Sequence, residues 1–183
     1  MESILKEMFA FLSLILVVVV AFLAAGKGIK YSYHKTDLFY GDAEQAIQTW
    51  SFAEIMKSEW LAGSVGAPLA TVIWAFSIAT VVAACVAAAV QIAAIGRNKR
   101  SCGSLIASAF VCFFAVMYMI LVIVYKVQII DGEYLGSGGL DEDAKISLAQ
   151  PIFAMVLSLA MLVSSVISFV FSKKKKEPIG VMR

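Results

Sequence analysis

Four long apolar runs alternate with polar islands along the chain. The first covers residues 8–25, MFAFLSLILVVVVAFLAA, and holds no charge. The second covers 68–95, also without charge, with one glutamine near its end. The third, 104–130, holds a single charge, Lys126, close to its end. The fourth, 151–171, holds none. A helix rises about 1.5 Å per residue, so about 20 residues cross a hydrocarbon core of about 30 Å. Each run meets or nearly meets that length. The second and third are long enough to tilt or to project beyond the lipid. The pattern predicts an all-α membrane protein, a four-transmembrane-helix bundle forming one compact domain over 1–183.

Composition points the same way. Of 183 residues, 61% are hydrophobic and 15% charged, against about 25% charged in soluble domains. Mean hydropathy is +0.89. Such a chain cannot cover its apolar side chains in water, so lipid must be the solvent for most of it. The first run also has to be weighed as a cleaved signal peptide, with a break near residues 24–26. Its leading segment, MESILKE, is not basic, and its apolar stretch exceeds the usual length of about 7–15 residues. A retained first span is the expectation.

Charge sets an expected orientation. The turn at 97–100, RNKR, has three positive charges and no negative one. The tail carries Lys173, Lys174, Lys175, Lys176 and Arg183 against Glu177. The long first loop, 26–67, and the loop at 131–150 each hold five acids, so ten of the chain's 13 acids fall there. The positive-inside rule then puts both termini and the middle turn in the cytosol. The lysine run at 173–176 is expected to lie against anionic headgroups, at about 1 kcal/mol per lysine. The plasma membrane is the expected location. Cys85, Cys102 and Cys112 lie in or at the spans rather than in the outer loops, so no disulfide is expected on the outer surface.

Helices in lipid associate through close packing and interhelical hydrogen bonds rather than hydrophobic drive, which favours small residues at their contacts. The second run offers a four-residue ridge of Ala75, Ala79, Ala83 and Ala87, with Ala84 and Ala88 beside it. The third offers Ser104, Ser108 and Cys112, next to Gly103 and Ala107. The fourth offers Ala160, Ser164, Ser168 and Ser172. These are the expected packing seams. The first run, bulky all round, is expected to face lipid more.

Between the first two runs lies QTWSFAEIMKSEWLAGSVG, residues 48–66. Residues 42–62 read as a helix, with Asp42 as N-cap, Gly63 as stop and no interior Pro or Gly. Trp50, Ala53, Met56 and Trp60 fall within about 120° of one another at 3.6 residues per turn. Lys57 intrudes, and Phe52 and Ile55 point elsewhere. Contact with more than one surface is therefore expected, with Trp50, Phe52 and Trp60 as partner contacts of the outer loop. The fourth run opens at Pro151. Either the helix starts there, with proline in its first turn, or it starts at Asp141 and kinks at Pro151. The acidic SGGLDED stretch lacks the alternating ligand pattern of a calcium loop and reads as a solvated cap.

No catalytic, cofactor or metal motif is present. There is no P-loop, no zinc spacing and no Ser–His–Asp arrangement, and the lone histidine, His34, lies in the first loop. Ion pathways usually need ionisable groups within the membrane, and Lys126 is close enough to the surface to snorkel. The expected cofactor is none, and nucleic acid is not an expected partner. Membrane lipids and other membrane subunits, or further copies of this chain, are.

A cytosolic start, a long tryptophan-bearing first outer loop, a short basic turn, a short second outer loop and a basic tail together resemble the claudin and peripheral-myelin-protein superfamily. Trp50 and the WLAG at 60–63 are the nearest echo of that family's Trp…Gly-Leu-Trp…Cys…Cys loop pattern, and both of its cysteines are absent here. The resemblance covers the whole chain as topology. It implies a junctional, adhesion or channel-auxiliary role, and in the family an outer sheet braced by a disulfide. The expected function is a non-enzymatic tetraspan acting through protein contacts, as an accessory or structural subunit of a membrane complex or a self-associating scaffold. The alternative is a small oligomeric channel with its pore between protomers, since charged rings can confer selectivity without buried charge. A lipid-directed enzyme would need polar groups converging at headgroup depth, which no motif announces.

Overall fold

The structure is a computed structural model that describes residues 2–26, 29–36, 43–50, 52–57, 59–96, 102–130 and 144–174. Five helices and three strands follow in the order α1 (Glu2–Ala25), β1 (Ile29–Thr36), β2 (Ala43–Trp50), α2 (Phe52–Lys57), α3 (Glu59–Gly96), α4 (Cys102–Tyr125), a π-helical turn (Lys126–Ile130), β3 (Ala144–Ile146) and α5 (Ala149–Lys174). Four stretches are long and apolar enough to cross a membrane: Glu7–Ala25, Pro68–Ile95, Cys102–Gln128 and Ala149–Phe171. They match the four apolar runs to within a few residues. The chain is an integral, multi-pass membrane protein built on a four-helix bundle.

The spans run alternately up and down. The start of α1 meets the end of α3, the start of α4 and the end of α5 through hydrogen bonds. Nearer the opposite end, Ser77, midway along α3, donates to the carbonyl of Ala24 late in α1, at 2.6 Å. Each span packs against its sequence neighbours, and α5 closes the ring against α1. We call the end with the start of α1 and the end of α5 the terminal end and the other the loop end.

All four spans bury residues at alternating steps of three and four. In α1 these are Ala10, Ser13, Val17, Val20 and Ala24. In α3 they include Ala70, Ile73, Thr80, Ala84, Ala87, Gln91 and Ala94. In α4 they are Ser104, Ser108, Val111, Ala115, Tyr118, Val122 and Tyr125. In α5 they are Pro151, Ala154, Ser158, Met161, Ser165 and Ser168. A 3.5-residue repeat drifts only about 20° per heptad around a straight helix, so it keeps one stripe facing its neighbours and gives the shallow crossing of coiled coils.

This corrects the expected alanine ridge. A strict four-residue step advances about 40° each time around a 3.6-residue turn, so it winds off the packed face. Ala87 is fully buried, Ala79 and Ala83 are half-buried, and Ala75 is exposed. On α5, Ser164 and Ser168 are buried as expected, whereas Ala160 is exposed. Span one faces outward as much as span two and more than spans three and four, in line with the expectation for a helix bulky all round, but it still contributes to the core. It puts Val17 and Val20 into the same cluster as Ala84, Ala87, Val111 and Met161. Its outward positions, Phe11, Ile15 and Phe22 among them, are exposed, as suits a lipid solvent. Where Ala21 and Phe22 meet Ala84, Cys85 and Ala88, small side chains leave an apolar, lipid-facing cleft of about 310 Å³.

Two expectations about helix ends need revision. Helix α3 does not stop at Gly63 but runs on through Pro68. The proline forfeits one helical hydrogen bond, which helices at membrane depth tolerate. Helix α5 starts at Ala149, so Pro151 sits in its first turn, the first of the two arrangements considered. The Asp141 start is not adopted. Gly26, just past α1, lies so close to α5 that a Cβ there would stand 2.9 Å from Gln150 Oε1.

The long first loop is partly helical, as expected, but it also contributes strands. Strands β1 and β2 pair antiparallel from Ile29↔Trp50 to Thr36↔Ala43. Strand β3, from the second loop, adds to β1 at Ile29↔Ile146 through Tyr31↔Ala144. The sheet order is β2-β1-β3. The stretch 43–50 is therefore strand and not the first half of a helix.

The heptad seam makes a direct prediction. Ala87→Leu should overpack the bundle and destabilise it by about 1–3 kcal/mol, whereas Ala75→Leu should have little effect. Thermal unfolding of both variants in the same detergent checks this; equal losses would contradict the seam.

Candidate functional site

Among the described residues, polar side chains converge inside the bundle at one layer, with one contributor from each span. Gln91 Nε2 donates to Ser13 Oγ at 2.9 Å and to Ser108 Oγ at 3.3 Å. Ser165 Oγ lies 2.9 Å from Ser13 Oγ and 2.8 Å from Ser108 Oγ. All four side chains are buried. They occupy matching heptad positions, six residues or fewer from the terminal ends of their spans. At about 1.5 Å per residue the layer lies less than about 10 Å inside the apolar region.

Proton accounting orders the ring. Ser108 donates its only proton to the carbonyl of Ser104, at 2.9 Å. Ser165 must therefore donate to Ser108, and Ser13 to Ser165, since each hydroxyl has one donor and two acceptor lone pairs. The two Gln91 amide hydrogens complete the circuit on Ser13 and Ser108. Turning the amide over would set its oxygen against Ser108 with no proton between them and strand two N–H donors. As oriented, one acceptor lacks a partner: Gln91 Oε1. A second unpartnered acceptor, Gln150 Oε1, belongs to a half-buried side chain at the loop-end margin of the fourth span.

The layer is bounded by apolar packing. Toward the loop end comes Val17, Ala87, Val111 and Met161, each 0% exposed. No Asp, Glu, Lys, Arg or His is among the described buried residues of the spans. Nor do three His, Cys, Asp or Glu side chains converge anywhere among the described residues. All three cysteines are free thiols: Cys112 is buried, Cys85 and Cys102 exposed.

The loop end is closed differently. Phe52, opening α2, is 5% exposed and meets the Tyr125 ring edge-on at 5.6 Å. It joins Ala70, Ile73, Tyr118, Val122 and Ile146 in one cluster. Both loops thus press a residue onto the mouth of the bundle, Phe52 from the first and Ile146 from the second. This corrects the reading of Phe52 as an outer partner contact. The strand ending at Trp50 delivers Phe52 inward, where a large ring gains more from burial than from exposure.

The other expected contacts are placed as follows. Trp50 is the last residue of β2 and Trp60 the second residue of α3, and their side chains lie outside the described set. Lys173 and Lys174 end α5, and Lys175 and Lys176 fall outside the described residues, as does the acidic stretch 131–143. Gln91 was legible only as a lone amide in an uncharged run. The signal that would have found the ring is a depth count from the terminal end, which puts a serine of each other span level with it.

No protein-family profile, curated protein or solved structure is significantly similar to this chain.

If the ring ties the spans together, Ser165→Ala should cost about 1–2 kcal/mol, since it breaks two interhelical hydrogen bonds of a kind that averages about 0.6 kcal/mol each. Ser158→Ala, which removes only a bond to its own helix at Met155, should cost less. Reversible unfolding in mixed micelles compares them; equal effects would show that the ring adds no interhelical stability.

Proposed function

We propose that the chain is a non-enzymatic tetraspan that acts through protein contacts in the membrane, as an accessory or structural subunit of a membrane complex or as a self-associating, claudin-like scaffold. The observation that carries the reading is the tightly packed interior, which holds no charged side chain among the described buried residues. The polar layer spends its hydrogen bonds within the bundle and is backed by fully buried apolar side chains. A path for ions or a pocket for a reacting substrate would need polar groups turned toward a passage. Chemistry thus has little place inside, and the outer assembly and the lipid-facing sides are left to act.

The loop-end architecture supports the same reading. Two loops combine into one three-stranded sheet above the bundle, and the aromatic cluster at Phe52 ties that assembly to the spans. An outer sheet is what the claudin resemblance implies, here formed without cysteines in the loops. Trp50 and Trp60 are the proposed partner contacts on this side. The terminal end, with RNKR and Lys173–Lys176, is proposed to face the cytosol at the plasma membrane, where anionic headgroups meet the lysines.

The test is extraction from the native membrane in mild detergent, followed by native sizing and mass spectrometry. The chain is expected either at fixed ratio with larger membrane proteins or in multiples of itself. Trp50→Ala and Trp60→Ala are expected to weaken that association without lowering the unfolding temperature. Recovery of the wild-type chain only as a monomer under several mild detergents would overturn the reading.

A further inference from the structure

We propose that the Gln91 layer is a hydration site: one water molecule, reaching it from the terminal end, donates a hydrogen bond to Gln91 Oε1. The starting point is the unpartnered acceptor. Gln91 is 0% exposed, and its Oε1 has no hydrogen-bond partner. A buried amide oxygen without a donor keeps its full desolvation penalty. The side chain cannot relieve this by turning, because both hydrogens of its nitrogen are engaged with Ser13 and Ser108. Gln150 differs, since its side chain is only half-buried and lies at the margin of its span.

The surroundings select the ligand. Every hydroxyl proton of the ring is spoken for by the ordering derived above, so the missing group is a donor from outside the ring. It must be small. One heptad step toward the terminal end stand Ala10, Ala94, Ser104 and Ser168, each 6% exposed or less. None has more than two side-chain heavy atoms, so among the described residues the layer next to Gln91 on that side is built of the smallest side chains. Toward the loop end the way is shut by Val17, Ala87, Val111 and Met161.

Water fits these terms. A buried water typically makes about 2–4 hydrogen bonds. Ser104 and Ser168 are engaged in interactions of their own, but a hydroxyl whose proton is used keeps acceptor capacity. One water hydrogen thus goes to Gln91 Oε1 and the other to a serine oxygen of the terminal layer. The site is blind, so it hydrates the bundle without opening a path through it.

The test is solid-state NMR of the full chain in lipid bilayers, with water-to-protein magnetisation transfer read at the Gln91 side-chain amide. A Gln91→Met sample identifies that signal by its loss. Transfer to Gln91 is expected to build up several-fold faster than transfer to the Val17 and Val111 methyl groups one layer deeper. Transfer no faster than at those valines would overturn the proposal. In Ala94→Leu, where a larger side chain covers the approach, transfer to Gln91 is expected to fall toward the valine level; an unchanged rate would rule out access from the terminal end.

Discussion

A single layer of hydrogen bonds, from Gln91 to Ser13 and Ser108 and on through Ser165, fixes how the four spans of this protein stand against one another. Lipid offers no partner to a stray amide, so Gln91 must find its partners on the other helices. Each span supplies one member, and sliding any span by a turn would break the ring. The apolar heptad positions above and below can slide past one another at little cost, because one apolar contact in lipid resembles another. Packing therefore supplies the shape of the bundle and the polar layer its register. Buried polar groups serve the same end in soluble coiled coils.

With that register set, the loop end follows. The end of α1, the start of α3, the end of α4 and the start of α5 come together there. Ser77 bonds the carbonyl of Ala24, and Phe52 and Ile146 settle on Tyr125, Tyr118 and Ile73. The two loops then combine, because β1 leaves α1 and β3 enters α5 close to one another, joined at Ile29↔Ile146. The loop-end sheet is thus held by the bundle through an aromatic contact and a backbone ladder, and the loops carry no cysteine for a disulfide. The interior between the two ends holds no charge among the described residues, which is the ground on which the proposed function is placed at the surfaces.

Much of this was legible in the chain. Run length and the absence of charge gave the four spans to within a few residues, because the 30 Å core is a hard constraint. Pro151 left two arrangements open, a first-turn proline or a kink, and α5 adopts the first, where the missing N–H costs nothing. What failed was reading beyond the local. Residues 43–50, AEQAIQTW, are good helix formers without Pro or Gly, yet they form β2. The determining factor is a partner elsewhere, β1, whose Ile, Tyr and Tyr alternate with Lys, Ser and His, and propensity is overridden by such pairing. The alanine ridge failed because residue size was weighed above period. The packed face of α3 mixes Ile73, Thr80 and Gln91 with alanine on a 3.5-residue repeat, so a search for small residues four apart catches only part of it. Phe52 failed because an aromatic in a polar loop reads as exposed until the cluster that receives it is known.

The measurement that bears most directly on the tightly packed interior is current recording from the purified chain in planar bilayers. The account predicts no conductance above that of the lipid alone, over a range of potentials and salts. A reproducible, ion-selective current that changes when Asp141–Asp143 are neutralised would contradict it, and would make this chain a channel-forming protein rather than a partner of others.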